Sequence, residues 1–171
     1  YASAIPQKAY YVASTADKIY CAPTGGIEWH GFAMSMPFIK GTLEKLEIEP
    51  QIFYAGKFKS ATEPLREKKM TEANRLQSTE LLFDIYNHFL KGISGTRKID
   101  SSVLIRYADS NLVQFPSDAL KYRMVDGLKY DDEVKDEIRR KLKIEKKEKI
   151  NFITATRYSE AVDFQQSGRE K

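Results

Sequence analysis

The segment Gly56-Lys57-Phe58-Lys59-Ser60-Ala61-Thr62-Glu63-Pro64 concentrates two lysines, a hydroxyl and a carboxylate in one short stretch. A lysine amine works as a base only when uncharged, and desolvation drives it toward that state. The preceding Gln51-Ile52-Phe53-Tyr54 is apolar and aromatic, which predicts a strand over 51–55. Gly56 then permits a sharp change of direction, and Pro64 closes the segment by forbidding a simple helix through it. Lys57 and Lys59 would sit on a short connection after a buried strand, where catalytic groups of α/β proteins collect. The alternative is a pair of ordinary solvated loop lysines, the commoner state of this side chain. Ser60 adjoins Lys59, but neighbours on an extended segment point opposite ways, so Ser60 reads as support for the loop.

Other chemistries find less material. Two histidines, His30 and His88, and one cysteine, Cys21, give no metal-ligand spacing, and no cofactor is expected. His88 falls on a helical pattern as a surface or packing residue, and His30 lies in a Gly-flanked turn suited to a structural hydrogen bond. Gly25-Gly26 lacks the following Lys-Ser/Thr of a phosphate loop. No Gly-x-Ser-x-Gly elbow occurs, which leaves a conventional Ser-His-Asp hydrolase unsupported. A lone cysteine makes no internal disulfide and does not report on compartment.

The elements that would position the lysines read as follows. Residues 1–16 predict a helix with Pro6 in its first turn and Ala9, Tyr10, Ala13 and Ala16 facing inward. Residues 18–22 predict a strand ended by the turn signal Pro23-Thr24-Gly25-Gly26. Ile27-Glu28-Trp29 is too short to classify, and His30-Gly31-Phe32-Ala33 is irregular. Pro37 opens a helix carrying Ile39, Leu43 and Leu46 on one face, ended by Ile48-Glu49-Pro50. This strand–helix–strand alternation argues for an α/β unit with a crossover connection.

Thr71 caps the longest helix, over 72–91, whose stripe is Leu76, Phe83, Tyr86, Phe89 and Leu90 and whose stop is Gly92. Residues 93–99 form a loop, and Asp100 begins another helix. Ser117 caps a short helix holding Ala119, Leu120 and Met124. Asp131 or Asp132 caps a last one with Val134, Ile138 and Leu142 spaced as one buried face. Residues 141–149 are a charged, solvated tail of that helix.

A chain of 171 residues fits one domain with a real core. The organisation expected is a domain over 1–150 and a linker over 151–171. The net charge of +4 comes mostly from lysines late in the chain and is interspersed with nearly as many acids. That is weak support for a nucleic-acid partner, and none is expected. No apolar run reaches membrane-span length, and no signal-peptide pattern opens the chain. A start at Tyr1, inside an apparent helix, reads as a piece of something longer.

Taken in order, Tyr10-Tyr11-Val12-Ala13-Ser14, Ala16-Asp17-Lys18-Ile19-Tyr20, His30-Gly31-Phe32-Ala33 and the segment 56–64 resemble the amino-terminal half of signal peptide peptidase A. This is the protease IV family, in its long bacterial type. The resemblance runs from about residue 7 to 142, and the Lys-Ser-Ala-x-Glu-Pro run is its most specific part. Phe58 stands where the family usually has tyrosine. Met124-Val125-Asp126-Gly127 is similar to the family's Leu-Val-Asp element.

The resemblance implies a Clp/crotonase-like α/β fold of stacked strand–strand–helix units, with two such halves per chain. It also implies a bowl-shaped homo-oligomer, a tetramer, at the periplasmic side of the bacterial inner membrane, anchored by a segment outside these residues. The partners it implies are the second half and cleaved signal peptides as substrate. The implied reaction is serine peptidase chemistry without ATP or metal. Its lysine general base maps onto Lys59, and its serine comes from the second half. A serine hydroxyl is a weak nucleophile until a base accepts its proton. An amine neutral near pH 7 must lie roughly three pKa units below normal, about 4 kcal/mol against its charged form. Burial between two packed halves supplies that; an exposed loop does not.

One position departs from the pattern. The nucleophile of the catalytic half lies three residues before the first tyrosine of an Ala-Ser-Gly-Gly-Tyr-Tyr type segment, and here that position is Gln7. Glutamine cannot attack a carbonyl as serine does, so these residues alone are expected to be inert. The competing reading is a scaffold domain that only builds the oligomer and shapes the substrate bowl. A crotonase-type acyl-CoA enzyme rests on fold analogy alone.

Overall fold

The structure, a computed structural model, describes residues 1–161. It separates into two compact units, Tyr1–Lys129 and Tyr130–Lys171. The remaining residues of the expected linker lie outside the described range.

The first unit is built on a parallel sheet in the order β1-β2-β3. Its strands are β1 (Ala2–Ile5), β2 (Tyr20–Ile27) and the short β3 (Gly127–Leu128). Helix α1 (Gln7–Ala13) is the crossover that lets β1 and β2 run in the same direction. The single helix expected over 1–16 is therefore a strand followed by a helix. Pro6, extended at ψ 149°, divides the two as the residue before α1. Tyr10 is fully buried, but Ala9 and Ala16 are exposed.

The turn expected at residues 23–26 lies inside β2 instead. Ala2 pairs with Cys21 and Ala4 with Gly26, so two steps along β1 span five along β2. The surplus is taken up by a bulge, and a bulge accommodates the proline and glycines that would otherwise end a strand. Gly25 is required there: a Cβ on it would lie 1.9 Å from the Ser3 carbonyl oxygen.

Helix α4 (Glu72–Arg97), 26 residues long, packs against α1 and the helix that follows it. It runs through Gly92 and through residues expected as a loop. Gly92 is a contact rather than a stop, since a Cβ on it would meet the Tyr11 ring at 2.7 Å. Ile93, beyond it, is fully buried, and Lys98 ends the helix in the left-handed region at φ 56°. Phe89 stacks against Tyr11 and Trp29, and Tyr10 meets Trp29 edge-on. The Trp29 indole N–H donates to the Leu104 carbonyl at 3.0 Å, and the Tyr10 hydroxyl to the Met124 carbonyl at 2.7 Å. Each aromatic thus buries its ring while its polar tip finds a partner. Cys21 is a packing residue on β2, and burial pushes its thiol up.

Helix α5 (Ser101–Asp109) begins where expected, the Asp100 carboxylate accepting the Ser102 N–H at 2.8 Å. Helix α6 (Pro116–Lys121) starts two residues earlier than expected, with Phe115 rather than Ser117 at its cap position. The Asp118 carboxylate reaches back to the Phe115 N–H at 3.0 Å. Asp126 then fastens three elements: it accepts the Ile19 N–H at 2.8 Å and the Arg97 guanidinium at 3.1 Å just before β3. Burial works against its ionisation. The Arg97 and Ile19 bonds outweigh that effect and hold its carboxyl below the usual carboxylate range.

A lowered folded pKa stabilises above the unfolded value, about 3.9, and the contribution is lost as pH falls through the folded value. Asp126→Asn should therefore cost about 1–3 kcal/mol at pH 7 and flatten the acid limb of the stability curve. Urea melts between pH 3 and 7 would check this; parallel curves for the two proteins would count against it.

Two further expectations fail around the lysine segment. The helix expected from Pro37 is the shorter α2 (Lys40–Lys45), and Ile39 and Leu46 are exposed. Residues 51–55 form no strand. They pair with no neighbour in the sheet, and Phe53 is 95% exposed. An apolar run becomes a strand only where a neighbour can take its backbone hydrogen bonds.

In the second unit, α7 (Asp131–Leu142) has Tyr130 at its cap position, the Tyr130 N–H donating to Glu133 at 2.8 Å. Three acids in its first turn and three bases in its last complement the helix dipole. Of the charged run 141–149, the first two residues finish α7 and the rest follow it as the expected tail. Lys143 turns left-handed at φ 56°, and Lys146 folds back to pair with Asp136 at 3.0 Å. A short helix, α8 (Ala155–Ser159), interrupts the expected linker. No helix among the described residues is long and apolar enough to cross a membrane.

Candidate active site

Lys59 lies on a loop framed by two tight turns. Its N–H donates to the Gly56 carbonyl at 3.2 Å, and the Glu63 N–H donates to the Ser60 carbonyl at 2.9 Å. Gly56 holds φ +101°, a conformation costly to any residue with a Cβ. Pro64 does not forbid a helix after this loop. It occupies the first turn of the four-residue α3 (Glu63–Arg66), where a missing N–H costs nothing.

The Lys59 side chain lines an open cavity of about 520 Å³ with Phe53, Tyr54, Phe58, Ser60 and Thr62. Lys57 leans on the Phe58 ring, 5.8 Å from its centroid. Among the described residues, the Lys59 ammonium has no ion-pair or hydrogen-bond partner. The Thr62 hydroxyl is buried and equally without a partner among them. The cavity thus combines an accessible amine, an unsatisfied hydroxyl and exposed aromatic surface.

Beneath the loop, Glu63 is 1% exposed. Its carboxylate accepts hydrogen bonds from the Thr71 hydroxyl, the Asn74 side-chain amide and, at 3.4 Å, the Thr71 N–H. Arg66 approaches at 3.8 Å and stacks on the Tyr54 ring 3.9 Å from its centroid, closing the loop at its other end. Burial alone would raise the Glu63 carboxyl. The bonds from Thr71 and Asn74, with Arg66, prevail and keep it below the usual range. Thr71 also caps α4, its hydroxyl accepting the Asn74 N–H at 3.3 Å. The sequence reading missed Glu63; a carboxylate eight residues before a Thr-x-x-Asn cap was the available signal.

The other singled-out residues lie elsewhere. Gln7, at the start of α1, is buried, and its side-chain oxygen accepts the His30 N–H at 2.7 Å. An amide fixed this way anchors the irregular stretch after β2. The His30 ring nitrogen Nδ1 sits 2.9 Å from the Gly31 carbonyl, a local contact. His88 is exposed on α4. No cluster of three or more metal-ligating side chains occurs among the described residues.

A mixed α/β unit with a parallel sheet and an amine-bearing cavity narrows the class, and residues 1–145 match the model of peptidase family S49. The chain belongs to peptidase family S49, which bears out the resemblance to signal peptide peptidase A. It is 32% identical over 129 residues to Protease 4 of Salmonella typhi, covering 71% of this chain and 21% of that protein. It is 31% identical over 114 residues to Protease 4 of Haemophilus influenzae, covering 67% and 18%. It is 28% identical over 162 residues to the chloroplastic serine protease SPPA of Arabidopsis thaliana, covering 93% and 23%. The chain spans about a fifth of the length of these relatives.

Proposed function

We propose that this chain is the base-donating part of a membrane-associated serine peptidase that cleaves remnant signal peptides. Lys59 Nζ takes the proton of a serine Oγ contributed by another part of the protein. The Oγ attacks the scissile carbonyl, the amine leaves with a proton, and water later releases the acyl group. The observation that carries this reading is the Lys59 amine, unpartnered among the described residues, on an open cavity rimmed by Phe53, Tyr54 and Phe58. A packed second half covering those rings would desolvate the amine, as a lysine base requires. The proposal extends to a Clp/crotonase-like fold of stacked strand–strand–helix units, a homo-oligomer and a site facing the periplasm.

Gln7, held by His30 where the catalytic half carries its nucleophile, supports the corollary that these residues alone cleave nothing. The test is peptide cleavage by three proteins: the 171-residue piece, the full-length protein and full-length Lys59→Ala. Activity in the full-length protein alone supports the proposal. If Lys59→Ala cleaves as well as the unaltered protein, the scaffold reading replaces it.

A further inference from the structure

We propose that Glu63, Thr71 and Asn74 form a clasp that sets the position of Lys59, making Glu63 a positioning residue for catalysis. The inference rests on Lys59 being the base. Glu63 follows Lys59 by four residues, and the turn closed by its N–H on the Ser60 carbonyl leaves little slack between them. Its carboxylate is buried and takes three donors at the start of α4: the Thr71 hydroxyl, the Thr71 N–H and the Asn74 side-chain amide. Asn74 is itself held, its side-chain oxygen accepting the Ser78 hydroxyl at 3.0 Å. The far end of the amine-bearing loop is therefore fastened to a 26-residue helix through a sealed polar network. Sealed networks of this kind have one satisfied arrangement and resist displacement. On the far side, Arg66 lies over the Tyr54 ring, 3.9 Å from its centroid, and adds a second contact across the loop.

Thr71→Ala would remove a helix cap as well as a clasp member, so it cannot separate the two roles. The informative change is Glu63→Gln, which keeps the shape but turns one acceptor into a donor facing the Asn74 amide. The oxygen of the introduced amide still accepts from the Thr71 hydroxyl, while its NH₂ opposes the NH₂ of Asn74 and the longer Thr71 N–H contact. Converting Asn74→Asp in the same protein restores the missing acceptor and keeps a group able to accept from Ser78. An acid in the first turn of α4 also suits the helix dipole.

The experiment compares Lys59→Ala, Glu63→Gln, Asn74→Asp and the Glu63→Gln/Asn74→Asp pair in the full-length protein, with kcat, KM and thermal midpoint for each. The expected result is a kcat lowered roughly 10- to 100-fold in Glu63→Gln with KM within about twofold, as for a group displaced by an ångström or so. The double change should recover most of that loss. An unchanged kcat in Glu63→Gln beside an inactive Lys59→Ala overturns the clasp and leaves the base intact. So does a kcat loss that the pair does not restore while its thermal midpoint recovers. An active Lys59→Ala instead removes the base assignment itself.

Discussion

Full-length protein carrying Lys59→Ala should lose peptide cleavage by roughly 10²–10⁴-fold, the usual contribution of a positioned general base. In the proposed role the amine acts on a proton in flight rather than on the bound peptide, so the loss should fall on kcat. Lys59→Arg should fare no better. A guanidinium stays charged throughout the accessible pH range and accepts no proton. Stability should barely move in either variant, since the Lys59 side chain is exposed and makes no ion pair or hydrogen bond among the described residues. Cleavage of a reporter peptide, followed beside a thermal melt, separates the two quantities. A large fall in the melting midpoint would mean that the side chain holds the fold together, contrary to its surroundings here.

The second large effect belongs to the sheet. Gly25→Ala places a methyl 1.9 Å from the Ser3 carbonyl oxygen, and the obstacle is backbone, which cannot rotate aside as a side chain would. Either β1 separates from β2 or the bulge is rebuilt. We expect a loss of about 3 kcal/mol or more, at or beyond the upper end of ordinary overpacking. Gly26→Ala, one residue later, is the control: nothing lies within 4 Å of its added methyl. Circular-dichroism melts of the two variants should differ by many degrees. Equal midpoints would show that the bulge tolerates a side chain.

Much of this architecture was legible in the sequence because local signals agreed with the surroundings. Thr71 caps the long helix as its type and spacing predict, and Asp100 does the same for α5. The failures came where a neighbour far along the chain decides. Gly92 ends helices by propensity, yet here it admits the Tyr11 ring from α1. Pro23-Thr24-Gly25-Gly26 makes turns, yet against β1 it makes a bulge. Gln51-Ile52-Phe53-Tyr54 has strand composition, but no strand lies beside it to complete a ladder.

The same division holds at the site. Lys59 stood out by residue type and motif, and the structure places it on a cavity. Glu63 stood in the same run but drew no role of its own, since its spacing to Thr71 and Asn74 takes on meaning only once the fold encloses the carboxylate. Its partners Thr71 and Asn74 sit across a gap that only the fold closes.

The length of α4 has a mechanical meaning. At 1.5 Å per residue its 26 residues extend about 39 Å, from Asn74 near one end to Arg97 at the other. Phe89, Leu90 and Ile93 grip only the later portion, whereas Leu76, Leu81 and Phe83 on the earlier portion stand exposed. The helix is gripped by apolar side chains only in its later portion, and its start is tied to the amine-bearing loop through Asn74 and Glu63. A tilt of about 5° about Phe89 would move the start of the helix, and the Glu63 clasp with it, by about 2 Å. Tightening or loosening the aromatic grip on Phe89 is thus a way to steer Lys59 without touching anything near it.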